Sequence, residues 1–148
     1  MGTLALVAGD EGLEQIRFEG IPPAGAVPGE GHPILAESAR QLDAYFARDL
    51  RDFDLPLALK GTPFQVLAWR ALQQIPYGTT RSYAEQAKAI GSPRAVRAVG
   101  AANGRNPIPI VIPCHRVIGS SGRLVGFGGG LPLKRYLLDL ESRPMLPL

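Results

Sequence analysis

The chain has 148 residues, 45% apolar and 20% charged, which supports one hydrophobic core or two small ones, and no run approaches the roughly 18 apolar residues of a membrane helix. Its single cysteine, Cys114, excludes an internal disulfide and a multi-cysteine zinc site and suits a reducing, cytoplasmic setting; the opening Met1-Gly2-Thr3-Leu4 lacks a secretory signal's basic start. The net charge of +3 is lopsided: residues 1–59 carry four basic and ten acidic side chains (−6), residues 60–148 twelve basic and three acidic (+9), so the second part points towards a polyanion.

Along the chain, Thr3–Ala8 and Leu13–Phe18 are β-prone runs around Gly9-Asp10-Glu11-Gly12, a hairpin pattern. A Pro/Gly-rich loop spans 20–33, and His32 within it reads as a solvated side chain. Leu35, Ala39, Leu42 and Phe46 recur at helical spacing and predict an amphipathic helix over 34–48. Leu55, Leu57 and Leu59 alternate and return the chain to the sheet, with Pro56 confining that strand to an edge.

The second part carries clear helix punctuation. Thr62-Pro63-Phe64-Gln65 is a capping box with proline at the first helical position, followed by an apolar stripe of Phe64, Leu67, Ala71, Leu72 and Ile75. Ser82-Tyr83-Ala84-Glu85 is a second capping box, opening a short helix that stops at Gly91. Ser92-Pro93 is expected to start a third helix running to Gly104, with Arg94 and Arg97 on one side. Two short helices around a glycine turn form a helix-turn-helix. A Gly-rich segment, Gly126-Phe127-Gly128-Gly129-Gly130, precedes a last helix over 132–141 with Leu133, Leu137, Leu138 and Leu140 as its apolar side. The expected fold class is α+β. A small N-terminal α/β platform, an antiparallel sheet plus a helix, occupies 1–59. A mostly helical C-terminal domain holding the helix-turn-helix and Cys114 occupies 60–148.

Cys114 and His115 are neighbours after the apolar run Ile108–Ile112. A buried thiol is ordinarily an inert small hydrophobe, and it reacts when a base or a positive charge favours its thiolate. His115 is the candidate base and Glu141 the candidate carboxylate to orient it. Glu141 ends a helix, where a negative charge opposes the macrodipole unless a partner offsets it.

The run Ile112-Pro113-Cys114-His115-Arg116-Val117, with Asn106-Pro107 before it and Gly129-Gly130-Leu131 after it, resembles the active-site signature of the O6-alkylguanine-DNA alkyltransferases. The similarity extends through Gly61-Thr62-Pro63-Phe64-Gln65, Ile75-Pro76-Tyr77-Gly78, Ser82-Tyr83 and Arg97-Ala98-Val99-Gly100. It covers nearly all of 60–141, whereas 1–59 match that family only in the size and layout of its N-terminal subdomain. The resemblance implies a repair protein that flips O6-alkylguanine, with O4-alkylthymine as a second candidate, out of double-stranded DNA. The alkyl group then passes irreversibly to Cys114, once per molecule, without a metal or cofactor. It implies Cys114 as nucleophile, His115 as its base through a water, Glu141 as the residue fixing His115, and Asn106 as a bridge from the helix-turn-helix to the active-site segment. Tyr83 rotates a backbone phosphate and Arg97 fills the place of the extruded base. The small residues Ala95, Ala98, Ala101 and Ala102 admit the minor groove, and 125–130 form a lid over the guanine. Arg94, Asn103, Arg105, Arg116, Phe127, Gly128 and Lys134 complete the implied DNA and substrate surface of a monomer. Phe127 and Gly128 depart from the family pattern, since several relatives place a tyrosine and a serine there. Three other readings stand beside this one: a lesion-binding module without transfer chemistry, a helix-turn-helix regulator, and a cysteine hydrolase. The first is opposed by Cys114, the second has no use for a Cys-His pair, and the third finds no convincing oxyanion hole.

Overall fold

A computed structural model describes residues 2–122, 124 and 126–142. The chain divides into two compact units, Met1–Lys60 and Gly61–Leu148.

In the first unit, β1 (Ala5–Ala8) and β2 (Leu13–Arg17) pair antiparallel, with Leu6 opposite Ile16 and Val7 opposite Gln15 before a bulge at Ala8. The Gly9 N–H closes the turn on the Gly12 carbonyl at 3.0 Å, as the hairpin pattern predicts. Helix α1 (Pro33–Phe46) buries Ser38, Gln41, Leu42 and Tyr45. That stripe is rotated from the expected one, and Ala39 is exposed. A polar residue holds the inward position because backbone satisfies it: Gln41 donates to the Asp54 carbonyl and accepts from the Asp54 N–H, both at 2.9 Å. This two-way bond works like a rung of sheet pairing and pins the returning chain. The expected edge strand shrinks to one bridge, Leu13 with Leu57. Leu13 donates to the Pro56 carbonyl at 2.8 Å and accepts from Ala58 at 2.9 Å; Pro56 itself has no N–H to extend the ladder.

In the second unit, α2 (Pro63–Leu72) and α3 (Tyr83–Ala89) both start at complete capping boxes, Thr62 with Gln65 and Ser82 with Glu85. Helix α3 ends ahead of Gly91, whose φ of +77° only glycine adopts freely. Helix α4 (Val96–Gly104) begins later than expected. Ser92-Pro93 opens a turn, closed by the Ala95 N–H on the Ser92 carbonyl at 2.9 Å, and Arg94 sits in it ahead of the helix. Short strands β3 (Arg81–Ser82) and β4 (Val117–Ile118) pair parallel, holding the start of α3 beside the turn that carries Cys114. Helix α5 (Leu131–Ser142) buries Leu137 and Leu140, together with Lys134 and Glu141.

Trp69, rather than the expected Leu67, anchors this core: the indole is 2% exposed while Leu67 is 47% exposed. Its Nε1–H donates to the Ala102 carbonyl of α4 at 2.8 Å. Beside it, Gln86 of α3 bonds both Asn103 of α4 and the Ala68 carbonyl of α2. These polar bonds lock three helices in register. Trp69→Phe removes the indole donor from the Ala102 carbonyl, which keeps its bond from the Arg105 N–H at 3.1 Å. It is expected to cost about 0.5–1.5 kcal/mol, read as a lower midpoint in thermal melts; an unchanged midpoint would show that packing alone sets this contact.

Candidate active site around Cys114

The segment leading to Cys114 is shaped by one side chain. Asn106 donates from Nδ2 to the Ile112 carbonyl at 2.7 Å and accepts at Oδ1 from the Ile108 N–H at 3.0 Å. An amide can serve both ends of a loop because it carries a donor and an acceptor on one rigid plane. The clamped loop closes on itself through the Ile112 N–H and the Ile108 carbonyl at 2.9 Å. Ile110 takes a φ of +75°, unusual for a β-branched side chain. Burial of Ile108, Ile110 and Ile112 at 0%, 1% and 0% exposure supplies the packing that holds this strain. A short 3-10 turn, Cys114–Arg116, follows Pro113.

Cys114 is a buried free thiol. Burial pushes its pKa up, and a side-chain hydrogen bond from Asn106 and the positive charge of Lys134 pull it back. The thiol therefore needs a base. His115 is fully buried, with Nε2 2.7 Å from Glu141 Oε2. Burial holds the His115 pKa below its ordinary value, against the opposing pull of Glu141, so the ring is neutral at neutral pH. An ionised carboxylate only accepts hydrogen bonds, so the proton sits on Nε2 and Nδ1 carries a lone pair. Nδ1 is buried and has no hydrogen-bond partner among the described residues. It is a base with its tautomer already set.

Glu141 is set in turn by Arg116. The guanidinium donates from Nε to Oε1 at 2.8 Å and from Nη2 to Oε2 at 3.0 Å, while Nη1 donates to the Ile75 carbonyl at 2.7 Å. The Tyr77 ring lies 5.6 Å from its centre. Burial opposes the Glu141 charge, but the hydrogen bonds from His115 and Arg116 overcome it and hold the pKa at about 2. With His115 neutral, the permanent charge is supplied by Arg116. The expected partner for a helix-terminal Glu141 is thus present, twice over.

A cavity of about 230 Å³ opens at Cys114, walled by Tyr83, Gly100, Asn103, Gly104, Gly126, Phe127 and Gly128. Burial, and then the charge of Cys114, raise the Tyr83 pKa. Lys134 Nζ donates to the Val117 carbonyl at 2.7 Å and the Gly126 carbonyl at 3.4 Å, and stands 6.0 Å from the Tyr83 ring centre. Two backbone carbonyls accept from this ammonium, while burial pulls its pKa below the ordinary value.

The structure thus brings Cys114, His115, Glu141, Asn106, Tyr83, Phe127 and Gly128 together. Arg94, Arg97, Ala98, Ala101 and Arg105 instead share an exposed face of α4 and its flanks, Ala95 is half-buried at the helix start, and Val99 and Ala102 face inward. Three residues expected on the DNA and substrate surface, Ala102, Arg116 and Lys134, are buried instead. Arg116 is buried because it neutralises Glu141, and Lys134 because its ammonium serves carbonyls beside Cys114. Asn103, paired with Gln86, keeps its place at the substrate site as part of the cavity wall. Val125, the first residue of the expected lid, lies outside the described residues. The sequence reading missed Gln86 and the inward place of Lys134. A lysine between leucines on the apolar side of α5 was the available signal for the second.

Comparison with known proteins agrees with this geometry. Residues 63–143 match the family model of the 6-O-methylguanine DNA methyltransferase DNA binding domain, and residues 1–59 that of the same proteins' ribonuclease-like domain. The chain belongs to the 6-O-methylguanine DNA methyltransferase family. Within the family it is 49% identical to the methylated-DNA–protein-cysteine methyltransferase of Methanosarcina acetivorans, over 96% of this chain and 93% of that one. The counterpart from Mycolicibacterium paratuberculosis is 52% identical, covering 97% and 88%. Among solved structures, Mycobacterium tuberculosis OGT in complex with DNA superposes with a TM-score of 0.85 at 48% identity, covering 94% and 86%.

Because the folded-state pKa of Glu141 is depressed from 4.5 to about 2, its contribution is complete above pH 4.5 and is lost as pH falls towards 2. Such a difference is worth about 3 kcal/mol. Denaturant midpoints of the wild type should fall over that window. In Glu141→Gln they should start lower, with Arg116 left unpaired, and fall less. Parallel curves for the two proteins would place the acid sensitivity elsewhere.

Proposed function

We propose that this family member repairs O6-alkylguanine in double-stranded DNA by taking the alkyl group onto Cys114, once per molecule. The observation that carries the reading is a cysteine at the wall of a cavity, beside a histidine whose tautomer is set by a buried carboxylate. His115 accepts the thiol proton through a water. Sγ then forms a bond to the alkyl carbon as the carbon–O6 bond breaks and its electron pair passes into the purine, which takes up a proton to become guanine. The net exchange turns a thiol and an O6-alkylguanine into a thioether and guanine. A thioether has no ready leaving group, so the protein is consumed. The chemistry calls on neither metal nor cofactor, because the leaving group is stabilised by the purine ring.

The damaged base cannot reach Cys114 from within a stacked duplex, so it is extruded into the cavity at a cost of a few kcal/mol. The exposed side of α4 suits the minor groove. Ala98 and Ala101 allow close backbone approach, Arg94 and Arg105 meet phosphates, and Arg97 fills the vacated stack with a planar guanidinium. Tyr83, at the start of α3, turns a backbone phosphate, and Phe127 and Gly128 cover the base. O4-alkylthymine presents a similar alkyl–oxygen bond and is a second substrate of the same reading. The protein acts as a monomer in the cytoplasm, where the thiol stays reduced.

Intact-mass measurement after incubation with O6-methylguanine DNA should show one added methyl group, located on Cys114, with one guanine restored per chain. More than one repaired guanine per chain would sink the single-turnover mechanism. Arg97→Ala should slow repair in duplex DNA by at least about tenfold, since stabilisation of the extruded state is worth on the order of 1.4 kcal/mol or more. Its reaction with free O6-benzylguanine should be nearly unchanged. Equal losses on both substrates would assign Arg97 to the fold or the cavity.

A further inference from the structure

The amides of Gln86 and Asn103 meet face to face. Gln86 Nε2 donates to Asn103 Oδ1 at 2.9 Å, and Asn103 Nδ2 donates to Gln86 Oε1 at 2.7 Å. Amide nitrogen and oxygen look alike, so a partner that can only accept must decide the orientation. The Ala68 carbonyl is that partner, 3.2 Å from Gln86 Nε2. It forces the Gln86 nitrogen towards α2, and the pairing then forces the Asn103 nitrogen and oxygen into their assigned places. Each amide nitrogen has two N–H groups. Gln86 uses both, whereas Asn103 uses one within the pair. Its other N–H is claimed by no bond among the described residues. Asn103 is 8% exposed, and it lines the same cavity as Cys114.

We propose that Asn103 donates this second N–H to the guanine O6 as the carbon–oxygen bond breaks, and that Gln86 is the positioning residue that keeps the donor turned to the cavity. The assignment rests on the cavity being the seat of an O6-alkylated guanine. In-line displacement places the alkyl carbon between Sγ and O6, which brings O6 to the wall at Cys114. Asn103 lines that wall; its backbone carbonyl accepts the Asn106 N–H at 3.2 Å, and the Asn106 side chain holds the Ile112 carbonyl two residues before Cys114. As Sγ–carbon forms and carbon–O6 breaks, the electron pair arrives on O6 and spreads to N1, which then takes up a proton. The Asn103 proton stays on nitrogen throughout. A preset donor aimed where charge develops stabilises the transition state more than the bound substrate. It also supplies a side-chain donor at a cavity whose lid, Phe127 and Gly128, carries no hydroxyl.

The test compares two alkyl donors for Cys114: O6-methylguanine DNA at saturating concentration, and iodomethane, whose iodide leaves without an amide donor. The variant Gln86→Leu/Asn103→Leu removes both amides together, leaving no lone buried partner. Asn103→Met deletes the donor without placing a charge beside Cys114, and Gln86 keeps its bond to the Ala68 carbonyl. Loss of one such donor costs about 100-fold or more in rate. The single-turnover rate constant with DNA is therefore expected to fall about 100-fold in both variants, with DNA affinity and the iodomethane rate close to wild type. Equal slowing with both donors, a loss confined to DNA affinity, or no loss in a variant that folds would overturn the role of Asn103. Failure of the wild type to become methylated by O6-methylguanine DNA would instead overturn the transfer reading on which it rests.

Discussion

The buried carboxylate of Glu141 sets the state of its neighbours. It ends α5, where the helix dipole disfavours a negative charge, and it is nearly inaccessible to water, which disfavours the charge further. Hydrogen bonds from His115 and Arg116 together, with the permanent charge of Arg116, reverse both penalties. Only because Glu141 stays ionised must His115 place its proton on Nε2, and only then is Nδ1 left as a base. The Ile75 carbonyl takes a third donor of Arg116, tying this chain of dependence to the end of α2. The residue that sequence reasoning placed on DNA is thus the one that keeps the base in working form.

A second constraint comes from backbone held off its preferred conformations. The Asn106 clamp and the tight packing of three isoleucines keep Ile110 at positive φ, and this places Cys114 at the cavity wall instead of within the core. Strain of this kind persists where surrounding structure overdetermines it. The loop is apolar at its side chains and bonded at both ends, through Ile108 and Ile112.

The two polar locks of the second unit differ in what they permit. The bond from Trp69 to the Ala102 carbonyl is complete in itself and serves the register of α2 and α4. Among the described residues the Gln86–Asn103 pair leaves one N–H uncommitted, and a buried amide with an unused donor at a cavity is costly unless a ligand takes it. A stabilising pair and a ligand-ready pair therefore sit side by side between the same helices.

Sequence alone determined the features that depend on neighbours along the chain. Capping boxes at Thr62 and Ser82, the Gly9–Gly12 hairpin, the stop at Gly91 and the charge imbalance between the two parts act through local hydrogen bonds, backbone freedom or simple counting. The resemblance around Cys114 pointed to Cys114, His115 and Glu141 together, and the structure sets His115 against Glu141. What sequence could not reach was direction. Whether Arg116, Lys134 and Asn103 face water or the interior depends on which residues arrive from α2, α3, the Cys114 turn and the loop before α5. A charged side chain is buried only when such distant groups satisfy it. Helical spacing likewise favoured Ala39 and Leu67 as inward positions, but the rotation of α1 and α2 was decided by Gln41 finding Asp54 and Trp69 finding Ala102. Those partners lie 13 and 33 positions away, and only the tertiary fold brings them within hydrogen-bonding distance.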